Sequence, residues 1–156
     1  MGKSYSHHEL IVWRRAQELA HRIIQLMPRL PGTWANAVLA RQIVAAATSV
    51  GANIAEGHGR FTPGAHGNHL SIAKGSAAET DSWLDLLRRE GYLTAEEDAV
   101  LHDERMQITA MLKSKILDLE ALERSQSRKV RENREAYVSS NTPDAPPPPF
   151  GPDDYE

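Results

Sequence analysis

The stretch Leu39-Ala40-Arg41-Gln42-Ile43-Val44-Ala45-Ala46-Ala47-Thr48-Ser49-Val50-Gly51-Ala52-Asn53-Ile54 decides the fold. Leu39, Ile43, Ala46, Val50 and Ile54 step by four, three, four and four residues, the spacing that aligns side chains on one face of an α-helix. Ala40, Ala45, Ala47, Gly51 and Ala52 between them are small, so a neighbouring backbone can come close. No run of alternating β-branched residues bounded by turn residues occurs here or elsewhere in the chain.

Working outward, this helix is expected to start near Trp34 and to stop at Gly57 and Gly59. Upstream, Ser6-His7-His8-Glu9 reads as a capping box that opens a first helix, with Leu10, Trp13, Ala16, Ala20, Ile23, Ile24 and Met27 at helical spacing. Pro28 and Pro31-Gly32 close it. Downstream, Thr62-Pro63 announces a third helix whose stripe is Leu70, Ala73, Ala77, Leu84 and Leu87 and which ends at Gly91. Gly75 in its middle implies close packing against a partner helix, because glycine there costs about 1 kcal/mol against alanine. Thr94-Ala95-Glu96-Glu97 is a second capping box, followed by Leu101, Ile108, Leu112, Ile116, Leu119 and Leu122. The apolar pattern fades at Arg124, and the charged run to Glu135 either extends the helix into solvent or frays.

Four helices with short connections predict an all-α, antiparallel, up-and-down four-helix bundle over residues 1–135. Residues 136–156, with Pro146-Pro147-Pro148-Pro149 and mostly polar neighbours, read as a disordered, acidic, proline-rich tail. Trp13, Trp34 and Trp83 are expected at helix contacts or at an oligomer interface.

A chain of 156 residues, 40% hydrophobic, fits one domain with a modest core. The absence of cysteine excludes disulfides, thiolate catalysis and cysteine zinc sites, and suits a reducing compartment. No secretory signal or run of eighteen apolar residues is present, so the expectation is a cytoplasmic protein without a membrane partner. The net charge of −3 is unevenly spread. Residues 1–60 hold seven bases against three acids, 76–123 five against twelve, 124–135 five against two, and 143–156 four acids and no base. Such segregation serves either a nucleic-acid face or self-complementary assembly.

Few residues suggest chemistry. His66 and His69 share a helix face near His58 and Glu56, but a structural role outweighs metal binding at this spacing. Glu18-x-x-His21 is a single copy of a motif that di-metal bundles need twice. The acids at 79–85 and 96–104 read as solvated faces and helix-dipole complements. Ser49 and Ser76 lack a nucleophile-elbow context, and Gly57-His58-Gly59 is too short for a phosphate loop. The chain is therefore expected not to be an enzyme and to need no metal or cofactor. Arg14, Arg15, Arg22, Arg41, Arg60 and Lys74 could neutralise phosphates if they gather on one face. Asn53 and Glu56 sit at a helix end that disfavours an acid, so an Asn53–Glu56–Arg60 polar cluster is expected to fix the second loop or an interface.

Five segments carry a resemblance: His8 to Trp13, Gln42-Ile43, Ser49-Val50-Gly51-Ala52-Asn53-Ile54-Ala55-Glu56-Gly57-His58-Gly59-Arg60, Ile72-Ala73-Lys74-Gly75-Ser76-Ala77-Ala78-Glu79, and Gly91-Tyr92-Leu93. In this order, over about residues 5–122, the chain closely resembles the bacterial four-helix-bundle proteins encoded in intervening sequences of 23S ribosomal RNA genes. The resemblance implies a ring-shaped homopentamer and marks Asn53, Glu56, Gly57, Arg60, Ser76 and Glu79 as the family's characteristic sites. Similar proteins act as accessory factors of diversity-generating retroelements, where a basic pentamer binds reverse transcriptase and nucleic acid. For this chain the resemblance implies a non-catalytic oligomeric binding protein that contacts RNA or a reverse transcriptase. The alternative is a protein-interaction scaffold that binds no nucleic acid. His66, Asn68 and His69 stand where the family often carries aromatics, and the chain is less basic than the retroelement factors.

Overall fold

The computed structural model describes residues 6–140. They form four long helices: α1 (Ile11–Leu26), α2 (Trp34–His58), α3 (Pro63–Arg89) and α4 (Ala95–Ser140). Single 3-10 turns precede and follow α1, at His7–Glu9 and Met27–Arg29. No strand occurs among the described residues.

Up to Leu122 the helices share one core, and residues from Glu123 onward form a second unit. Pairings across each seam show that neighbours run antiparallel. Arg15, Arg22 and Arg29 in and just after α1 meet Gln107, Glu104 and Glu97 on α4, one series rising as the other falls. Asp81 and Arg88 on α3 likewise meet Arg105 and Asp98 on α4. α2 lies between α1 and α3 in the chain and packs against both. The result is a four-helix bundle.

Leu19, Ile23, Ile43, Val50, Ile54, Leu87, Ile108 and Leu112 are almost wholly buried at its centre. Each such side chain contributes about 1.5–3 kcal/mol through removal from water. The stripes of α2, α3 and α4 are those expected from spacing, except that Leu122 stays half exposed. On α1 the buried face is rotated: Leu19 and Leu26 are in the core while Ile24 is exposed. Apolar residues occur on more than one side of α1, so spacing alone leaves the angle of its buried face open.

Helix ends follow local chemistry. Thr33 and Thr62 accept from the backbone N–H groups of Asn36 and Ala65, both at 3.2 Å. Thr94 and Glu97 form a complete capping box, each side chain accepting from the other's N–H at 3.1 Å. Gly91, with φ of 76°, takes the left-handed conformation that ends α3.

Several expectations need correction. Ser6 caps only the His7–Glu9 turn, because Leu10 is extended and α1 starts after it. Gly57 does not stop α2; the helix runs through it to His58, and Gly59 is the cap. Gly75 faces open space within the protomer, so close packing there does not explain it. Of the tryptophans, Trp13 and Trp83 are half-buried at helix contacts as expected, and Trp34 is 82% exposed on the single chain. Contacts divide the chain after Leu122, where the charged extension of the last helix begins, and α4 runs on to Ser140. The remainder of the expected tail, 141–156, lies outside the described residues.

Candidate functional site

The residues singled out by sequence converge on the seam between α2 and α3. Small residues on α2 let α3 approach, and Gly57 marks the tightest point. A Cβ there would stand 2.9 Å from the His69 Cβ and 3.2 Å from the His66 carbonyl oxygen. Neither is the yielding end of a flexible side chain, so the seam at this level is shaped around glycine.

Two polar groups flank that point. In the first, the Ser49 and Ser76 hydroxyls meet at 3.0 Å. Asn53 donates from Nδ2 to the Ser49 hydroxyl at 3.1 Å and to its carbonyl oxygen at 2.9 Å. Buried Thr80 donates to the Ser76 carbonyl oxygen at 2.8 Å. Among the described residues the partners of the serine hydroxyls are each other and Asn53, and neither hydroxyl bonds to a histidine or carboxylate. This group is a seal on a helix contact.

In the second, Arg60 donates to the Glu56 carboxylate and, from Nε, to His69 Nε2 at 3.2 Å. His69 Nε2 lies 3.7 Å from Glu56 Oε1. His69 Nδ1 is buried without a hydrogen-bond partner among the described residues. His66 stacks edge-on to His58, with centroids 6.4 Å apart. Burial holds its pKa below the ordinary 6.5, helped by the nearby Lys115, His58 and His69. Glu56 and Arg60 thus pair as expected, but Asn53 joins the serines instead. Three residues of helix turn the two side chains toward different neighbours. No group of three or more metal-ligating side chains converges among the described residues.

The six basic residues do not gather. Arg14 donates to the His8 carbonyl oxygen at 2.7 Å. Arg15 donates to Gln107, and Arg22 lies 3.1 Å from both Glu18 and Glu104. Arg60 is held by Glu56 and His69. Arg41 and Lys74 are exposed, on α2 and α3, without a polar partner among the described residues. The excess of bases in α1 and of acids in early α4 is therefore spent largely on one internal seam. Glu104 in that seam has its pKa raised by burial, against the pull of Arg22. Glu79 accepts from the Trp83 indole N–H at 3.4 Å. What spacing could not reveal was this α1–α4 pairing, since register between helices is not written in a single helix; the matching runs of opposite charge were its only signal.

The profile of the 23S rRNA-intervening sequence proteins matches residues 8–114. The chain belongs to that family. The crystal structure of a Bacteroides thetaiotaomicron protein from the S23 ribosomal protein family, of unknown function, is 34% identical, with a TM-score of 0.63. The alignment covers 68% of this chain and 98% of that one. No curated protein matches the chain. The α2–α3 seam lies inside the family match, and α4 beyond residue 114 lies outside it.

Proposed function

We propose that the protein is a non-catalytic, cytoplasmic, homo-oligomeric binding protein that presents RNA or a nucleic-acid enzyme such as a reverse transcriptase with a surface assembled from several copies. One observation carries the assembly. An 18-residue window of α2 has a mean hydropathy of 1.3, enough by length and composition to cross a membrane, yet only 39% of it is buried in the protomer. A helix apolar around its circumference is ordinarily covered on all sides. α2 already packs its core face against α1 and α3, so the uncovered side, with Val38, Ala45 and Ala52, is offered to a second copy. Arg41 lies beside this side in a shallow groove with Ile24, Met27 and Val44. The family resemblance points to five copies in a ring.

Native mass spectrometry tests the assembly. The wild type is expected at a multiple of the 17.3 kDa protomer, and Ala45→Glu with Ala52→Glu is expected to give protomers of unchanged helicity. A wild type that is monomeric at micromolar concentration would overturn it.

A second reading, a scaffold that binds only protein, is favoured by the engagement of Arg15, Arg22 and Arg60 within the chain. Salt separates the two readings. Binding to RNA weakens steeply with salt as counterions return to phosphates, and a scaffold gives no RNA signal at any salt.

A further inference from the structure

The far part of α4 carries a basic, exposed surface. From Glu123 to Val138 every residue of this helix is exposed. Residues 124–135 carry five bases against two acids. At 100° per residue, Arg124, Arg128, Arg131 and Arg134 fall within an arc of roughly 120°, and they span roughly 15 Å along the axis.

We infer that this arginine face of α4 is a binding site for the phosphodiester backbone of RNA. The inference rests on the nucleic-acid reading above and places its contact outside the family's common core. Arg128 and Arg131 are each engaged by a glutamate one turn on, Glu132 at 2.7 Å and Glu135 at 3.5 Å. Pairs this exposed are worth little in water and exchange readily for phosphate, which takes guanidinium bidentately. Arg134 makes no polar contact among the described residues.

The arginines are concentrated on one side, and this selects the partner. Lys129 is the single base facing away from them on this stretch, beside the uncharged Gln126, Asn133 and Tyr137. A helix seated in the major groove of B-form DNA meets phosphate walls on both sides, and one wall would meet Lys129 alone. The wide, shallow minor groove of A-form RNA accepts contact from one side only.

The test uses the full chain and a fluorescein-labelled RNA duplex of about 20 base pairs, read by anisotropy across a salt series. Arg128→Gln, Arg131→Gln and Arg134→Gln together are expected to weaken binding at least tenfold and to reduce the salt slope by about three. Arg41→Gln with Lys74→Gln is expected to stay within twofold of wild type. Circular dichroism verifies that both variants keep their helix. If the triple variant binds like wild type while the double variant weakens, the contact lies on the bundle, and this inference falls while the nucleic-acid reading stands. If wild type binds no RNA, both fall. Equal affinity for a DNA duplex of the same sequence would overturn RNA as the source of the phosphates.

Discussion

The α2–α3 seam and the α1–α4 seam hold the same bundle together by opposite means. Across α2–α3 the side chains are small, and contacts are set by shape: a glycine beneath His69 and two serine hydroxyls 3.0 Å apart. Across α1–α4 the side chains are long and charged, and the partners keep water: Arg22 is 46% exposed and Arg29 57%. A seam of shape has one solution, because packed interiors resist even one added methyl. A seam of flexible, solvated charge has many. The α2–α3 seam should therefore be sensitive to single atoms and the α1–α4 seam forgiving.

The largest effect is expected from Gly57→Ala. Helix propensity alone would favour it by about 1 kcal/mol. The overlap with His69 should reverse the sign, for a net loss of about 1–3 kcal/mol in urea unfolding. Gly75→Ala is the matched control, in the same bundle but with open space around the added Cβ. It should raise the protomer's stability by about 0.5–1 kcal/mol, and a loss there as large as at Gly57 would break the distinction. Asn53→Ala removes the donor that closes the serine pair and should cost about 1 kcal/mol. On the other seam, Arg22→Gln should change stability by at most about 0.5–1 kcal/mol. Glu104→Gln should be near neutral, since burial already disfavours its charge.

Acid gives a further distinction. His66 has a folded pKa below 6.5, so the unfolded chain takes up its proton first as pH falls. Stability should be full above about pH 7 and should decline as pH drops through and below 6.5. The melting temperature of His66→Gln should vary less over that range; an unchanged slope would remove His66 from the seam's acid response.

Much of the fold was legible because it rests on signals within one helix. The Thr94–Glu97 box and the α2 stripe need no partner to be recognised, and both stand in the structure. What failed needed a second element. Gly57 looks like a helix stop until α3 is seen beneath it, and Asn53 looks like a partner of Glu56 until Ser76, on another helix, is seen beside Ser49. Whether the basic residues gather on one face could not be read either, because their partners, such as Gln107 and Glu104 on α4, lie on another helix. The Ser6 box failed for a local reason, the extended Leu10, which a capping motif does not report.

The contact at Gly57 has a consequence for inheritance. The obstacle to a side chain there includes the Cβ of His69, an atom every residue but glycine possesses. Trimming His69 to a smaller residue therefore cannot relieve an alanine at 57. Only a glycine at 69 removes that atom, and even then the His66 carbonyl oxygen stands 3.2 Å from a Cβ at 57. A lineage that leaves Gly57 therefore meets an obstacle that no change of side chain at 69 short of glycine lifts, and this helps to hold the residue in place whatever the protein binds.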